Sequence, residues 1–172
     1  MGDLGGLDIL VNNAAYQGKS VQRFEDIDPE RVRKTLLTNL GSMFFLTRHA
    51  LPHMRAGGAI INTASINAYQ PRASVLDYAS TKGAIVTFTK GLSQELAERG
   101  IRVNAVAPGP VWTPLIVQSY AADKTKSFGK NTAFGRPAQP AELAPAFVFL
   151  AGDDSRFITG EVIGVTGGQL LP

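Results

Sequence analysis

The chain contains no cysteine. Disulfides, thiolate nucleophiles and cysteine-ligated metals are therefore excluded, and the composition agrees with a cytoplasmic setting. Histidine is nearly as scarce, with only His49 and His53 present. Their i,i+4 spacing could hold a metal, but they sit beside Pro52 with no glutamate of an H-E-x-x-H pattern between them, so no metal site is expected. No apolar run approaches the ~20 residues that a membrane span needs. The opening Met1-Gly2-Asp3-Leu4-Gly5-Gly6 has no basic segment followed by an apolar one, so it does not read as a secretory signal. Concentrated charge is missing too. The net charge of +3 is spread over Arg31, Arg33 and Lys34 in one predicted helix and Lys124, Lys126 and Lys130 in one predicted loop. These read as solvated surface, and no basic face interleaved with aromatics suggests a nucleic-acid partner.

What is present is enough for one domain: 172 residues, 44% of them hydrophobic. Leu7 to Asn12 is a short unbroken apolar run, the pattern of a strand buried on both faces. Asp28-Pro29-Glu30 starts a helix, with Asp28 as N-cap and proline at the first helical position. Apolar residues at three- and four-residue spacing carry that helix to about Met54, and Gly57-Gly58 ends it. Residues 59–64 form a second strand. A loop from Ile66 to Val75 leads to a helix over about 76–98, stopped by Gly100. Ile101 to Ala107 is a third strand, broken by Pro108. Residues 110–139 read as a long loop with a short helix near 114–121, and long loops in compact domains are usually functional. A helix from Pro140 to about Ala151 and a strand over Val162 to Val165 complete the pattern. Strands alternating with helices imply a parallel sheet covered on both faces, of the doubly wound Rossmann type.

The chemistry centres on Tyr78-Ala-Ser-Thr-Lys82. A tyrosine and a lysine four residues apart on a helix share one face. An ammonium roughly 5 Å from a phenol, at an effective dielectric of about 20, is worth ~3 kcal/mol. That would lower the phenol by about two pKa units, into reach of proton transfer near neutral pH. Around this pair stand Ser65 at the end of the second strand, Asn39 within a helix, Asn12-Asn13-Ala14-Ala15 closing the first strand, and Pro108-Gly109-Pro110 closing the third.

This set resembles the short-chain dehydrogenase/reductases, from residue 3 to about residue 169, and looks closest to the branch with glucose dehydrogenase-like oxidoreductases. The resemblance implies transfer of a hydride between NAD or NADP and a small alcohol or carbonyl substrate. It implies Tyr78 as proton donor or acceptor. Lys82 would tune Tyr78 and hold the nicotinamide ribose hydroxyls. Ser65, thirteen residues before Tyr78 as in the family, would hydrogen-bond the substrate oxygen. Asn39 would support a water-linked proton path to Lys82. Asn12 and Ala14 belong to the family's N-N-A-G segment, here with Ala15 in place of glycine, whose backbone meets the cofactor. Pro108, Gly109, Val111 and Thr113 would form the wall near the nicotinamide. Residues 110–139 would bind substrate, and helices 29–54 and 76–98 with the last strand would form a homo-oligomer.

One family feature is not found: a Thr-Gly-x-x-x-Gly-x-Gly turn after the first strand, where a helix N-terminus receives the pyrophosphate. Thr159-Gly160-Glu161-Val162-Ile163-Gly164-Val165-Thr166 imitates it but precedes a strand, so it reads as a bend. The expectation is therefore an incomplete Rossmann sheet that keeps the last four strands and lacks the opening βαβαβ half. Leu7 to Asn12 would become an edge open to pairing with another chain. A truncated chain of this kind would bind NAD(P) weakly and turn over little. The alternative is a catalytically silent interaction module. A hydrolase built on Ser65 is disfavoured, since no G-x-S-x-G and no triad-like order is present.

Overall fold

A computed structural model describes residues 5–121, 125–169 and 171. Met1 to Leu4 and Lys124, invoked above, lie outside the described residues.

Among the described residues, four strands form one sheet: β1 (Leu7–Asn12), β2 (Met54–Thr63), β3 (Arg102–Pro108) and β4 (Val162–Val165). They lie in the order β1-β2-β3-β4 and every pairing is parallel. The connections carry α1 (Pro29–Leu36), α2 (Ser42–Ala50), α3 (Leu76–Leu96), α4 (Pro114–Ser119) and α5 (Ala144–Ala151).

Alternation along the strands sorts the core. Ile60, Val103 and Ala105 face α2 and α3, where they pack with Ala50, Ile85 and Leu96. Ile61 and Val106 point the other way and pack under Leu150 of α5. Helices thus cover both faces of the two central strands, which is why Ile60, Ile61, Val103 and Val106 are all buried.

The expected helix over 29–54 is broken. α1 passes into a π-helical turn over Leu37–Gly41, which carries Asn39, before α2 resumes. α2 ends at Ala50, and a 3₁₀ turn over Leu51–His53 follows, because Pro52 has no amide hydrogen to continue the ladder. β2 therefore begins at Met54, ahead of the expected residue 59. Gly100 closes the segment after α3 in the left-handed region, at φ 65°. The described residues of 110–139 are not a free loop. Val111 bridges Ala138, Trp112 N donates to Ala138 O at 2.8 Å, and Ala133 N donates to Gly167 O at 2.9 Å. The glycine-rich imitation at 159–166 is a bend: Thr159 Oγ1 accepts from Val103 N at 3.0 Å, and Gly160 N donates to Val103 O at 2.8 Å.

The expectation of an incomplete Rossmann sheet with an absent opening half is corrected. The four strands form one continuous parallel sheet whose centre is closed by the chain's own helices. Three apolar clusters fill both faces, and Ile60, Val103, Val106 and Leu150 are fully buried. β1 is an edge strand, with Ile9 43% and Val11 46% exposed on the side that α5 leaves open.

Candidate active site

Tyr78 and Lys82 lie one turn apart on α3, as their spacing requires. The Lys82 Nζ stands over the Tyr78 ring, 5.3 Å from its centroid, and donates to Thr63 O at 2.7 Å. Both side chains are buried. Burial pushes the Lys82 ammonium down to about 8. It also pushes the Tyr78 phenol up to about 12; a Ser65 hydrogen bond opposes this, and Tyr120 adds to it. The expected lowering of the phenol is thus reversed. The ammonium is directed to a carbonyl and sits over the ring, and loss of water disfavours the phenolate.

Ser65 follows β2 and caps the 3₁₀ turn Ile66–Ala68. Its Oγ accepts from Asn67 N at 3.1 Å and from Asn67 Nδ2 at 3.4 Å. This capping uses the oxygen as an acceptor and leaves the hydroxyl proton to act on Tyr78.

Asn39 is 1% exposed and clamps the backbone of Tyr16 from both sides. Its Oδ1 accepts from Tyr16 N at 2.6 Å and its Nδ2 donates to Tyr16 O at 2.9 Å. Nδ2 also reaches Thr81 Oγ1 at 3.1 Å, on the residue before Lys82. A π turn lets a mid-helix asparagine turn inward in this way.

One cleft of about 730 Å³ gathers most of the predicted residues. Ser65, Tyr78 and Lys82 line one side. Ala14, Pro108, Gly109, Val111 and Thr113 also line it. Asn12 and Asn39 do not. Asn12 instead donates to Asn62 Oδ1 at 2.9 Å, and Asn62 donates to Thr89 Oγ1 at 2.9 Å, a polar chain tying β1 to β2 and α3. Gly109 is needed for a close approach, since a Cβ there would lie 2.8 Å from the Thr166 backbone. Thr113 to Ile116, Tyr120 and Phe128 supply a further wall.

The residues fit a nicotinamide ribose. Lys82 has three donors and Thr63 O takes one, so a buried cation with spare donors borders the cleft. The narrow Pro108-Gly109-Pro110 backbone offers a flat wall beside it.

Sequence reasoning missed Arg31 and Gln17 near this site. Arg31, read as solvated surface, is buried against Asp77, the residue before Tyr78. Burial alone would raise the Asp77 carboxyl, yet hydrogen bonds from Arg31 and Thr35 hold it below its ordinary value. Gln17 and Asn67 also line the cleft. Gln17 fell in a stretch, residues 16–27, whose polarity gave no periodic signal.

The family model described as enoyl-(acyl carrier protein) reductase matches residues 1–169. A glucose and ribitol dehydrogenase from Daucus carota is 53% identical over 167 residues, covering 97% of this chain and 57% of the relative. A glucose/ribitol dehydrogenase-type short-chain dehydrogenase/reductase from Brucella melitensis superposes with a TM-score of 0.89 at 34% identity, covering 100% of this chain and 69% of that one. A 3-ketoacyl-(acyl-carrier-protein) reductase from the same organism, complexed with NADH, gives a TM-score of 0.86 at 34% identity, covering 97% and 69%. The chain therefore spans somewhat more than half the length of the Daucus relative. The matches span all of this chain as a Rossmann-type fold and give no support to the expected absence of an opening half, and relatives named as dehydrogenases and reductases lend no support to a silent interaction module or an inactive chain. From the matched family model, the relatives and the site geometry together, the chain belongs to the short-chain dehydrogenase/reductase family.

Proposed function

We propose that the chain works as an NAD(P)-dependent oxidoreductase on a small alcohol or carbonyl compound, with Tyr78 as the proton donor and acceptor. The observation that carries this reading is the meeting of Ser65, Tyr78 and Lys82 at one cleft walled by Pro108, Gly109, Val111 and Thr113. When bound, the nicotinamide cofactor supplies or takes the hydride, and the protein supplies orientation and a proton.

A phenol pushed up to about 12 is protonated at neutral pH. Tyr78 is thus set as the acid that protonates a carbonyl oxygen during reduction. The phenolate left behind is stabilised by the Ser65 hydroxyl and by the Lys82 ammonium over the ring. In the oxidation direction the same two groups favour removal of the Tyr78 proton. Lys82 also offers its free donors to the ribose hydroxyls. Asn39 acts one step back: it fixes Tyr16 beside the cleft and Thr81 beside Lys82. The backbone after Asn12 and the Val111 and Thr113 wall would border the nicotinamide, and residues 110–139 would contribute the substrate wall.

A homo-oligomer in the cytoplasm fits this reading. Leu37, Phe44, Phe45 and Leu46 stand more than half exposed along the helices between β1 and β2, and the Phe44 ring meets Phe88 of α3 edge-on at 4.7 Å. Analytical ultracentrifugation showing only monomer would remove the oligomer from the proposal.

The test of the function is oxidation of NADH or NADPH by purified protein with a panel of aldehydes and ketones. Turnover in wild type that disappears in Tyr78→Phe, with dinucleotide binding retained, is the expected result. Equal turnover by Tyr78→Phe would overturn the assignment.

A further inference from the structure

One guanidinium joins two separate parts of the molecule. Arg31 Nε and Nη2 donate to the Asp77 carboxylate at 2.9 and 2.7 Å, and Nη1 donates to Lys19 O at 2.6 Å. On the first side, the Asp77 carboxylate also accepts the backbone N–H of Tyr78. Helix α3 has no side-chain N-cap, so this aspartate takes up one of the amides that its first turn leaves open. On the second side, residues 17–21 are fastened to the wall of the cleft. Ser20 N donates to Ser119 O at 2.9 Å, Ser119 Oγ donates to Gln17 O at 3.4 Å, and Val21 N donates to Ser74 O at 3.0 Å. Ser119 precedes Tyr120, which lines the cleft and bears on the Tyr78 phenol. Gly18 leaves the passage for the guanidinium, since a Cβ there would fall on it.

Net stability is a weak reason for such a pair. Two charges taken out of water give little that two apolar side chains of similar volume would not give. What the pair adds is direction. A planar fork on a carboxylate fixes both partners in one geometry. A proton donor must stand within hydrogen-bond reach of the oxygen it protonates, and a small displacement costs rate steeply. Neither Arg31 nor Asp77 lines the cleft, so an effect of either on turnover passes through the residues they hold.

We propose that Arg31 and Asp77 are positioning residues for proton transfer: through the Tyr78 amide on one side and residues 17–21 on the other, they set Tyr78 against the opposite wall of the cleft. This rests on the reading of Tyr78 as the proton donor.

Three variants test it. Arg31→Lys keeps the charge and loses the fork. Gly18→Ala keeps both charges and pushes the guanidinium aside. The double variant Arg31→Met, Asp77→Leu removes both charges at similar volume and is expected to melt near wild type. Rates are measured with reduced nicotinamide and the aldehyde and ketone panel. In each variant kcat is expected to fall roughly tenfold to a hundredfold. KM for the dinucleotide should stay near wild type, because Lys82 is anchored separately on Thr63 O. In a Tyr78→Phe background, Arg31→Lys should lower the residual rate no further, since both changes act on one group.

Wild-type kcat in Arg31→Lys and Gly18→Ala, or an equal loss with and without the Tyr78 hydroxyl, overturns the proposal and leaves the pair a structural tie. These two variants decide the matter even if the double variant does not fold. A readout independent of activity comes from fluorine NMR of protein labelled with 3-fluorotyrosine. The chain has four tyrosines, and the Tyr78 line is the one lost in Tyr78→Phe. That line is expected to be single in wild type and broadened or split in Arg31→Lys. If no carbonyl compound turns over, the oxidoreductase reading fails. An unchanged Tyr78 line then overturns the positioning too, and a broadened one upholds the hold of Arg31 on Tyr78.

Discussion

Arg31 and Asp77, forty-six residues apart, form a two-pronged ion pair: Nε reaches Oδ2 at 2.9 Å and Nη2 reaches Oδ1 at 2.7 Å. Their side chains are 9% and 2% exposed. Thr35 Oγ1 adds a third bond to Asp77 at 2.8 Å. The pair welds α1 to the first turn of α3, one residue before Tyr78, where the helix has no side-chain N-cap.

Removing one partner leaves the other charge buried. Asp77→Ala is expected to cost about 3–5 kcal/mol. In a chain of this size that lowers Tm by roughly 6–20 °C, read by calorimetry. Asp77 is held below its ordinary value, so its contribution is fully present above the usual carboxylate range near ~4 and fades as pH falls below it. Unchanged Tm would show that the pair contributes nothing.

Lys82 gives the opposite pH signature. Its folded-state value of about 8 lies below the ordinary 10.5. Between those values the unfolded chain binds more protons than the folded one, so stability rises with pH across that window, by up to about 3 kcal/mol. Denaturant titrations at stepped pH should show the rise, and Lys82→Met should flatten it. Above pH ~10 the raised Tyr78 value works against the fold.

Tyr78→Phe removes the proton and little else. Turnover is expected to fall roughly 10²- to 10⁴-fold, the range for a general acid, with Tm nearly unchanged. Steady-state rates beside a melting curve separate this from a folding defect.

Gly109→Ala forces a methyl to within 2.8 Å of the Thr166 backbone. The expected cost is about 1–3 kcal/mol from overpacking. The same change shifts the Pro108-Gly109-Pro110 wall, so KM for the dinucleotide should rise more than kcat falls.

Much of this was legible in the chain. The short apolar run at Leu7 to Asn12 and the segment Ile101 to Ala107 were legible as strands, but the burial expected of the first was not met, since β1 lies at the sheet edge with Ile9 and Val11 43% and 46% exposed. The four-residue step from Tyr78 to Lys82 placed both on one face because helix geometry is local. Asp28-Pro29 and Gly100 marked a helix start and a helix stop for the same reason.

What lay between distant segments was not legible. No local pattern tells that Arg31 meets Asp77, that Asn39 grips Tyr16 through a π turn, or that Gln17 and Asn67 come to one cleft. The direction of the Tyr78 shift was also misjudged from sequence, since a nearby charge can be counted from spacing but burial cannot. Helix and strand are decided by neighbours along the chain. Desolvation and long-range pairing depend on which surfaces meet, and only the folded packing settles those.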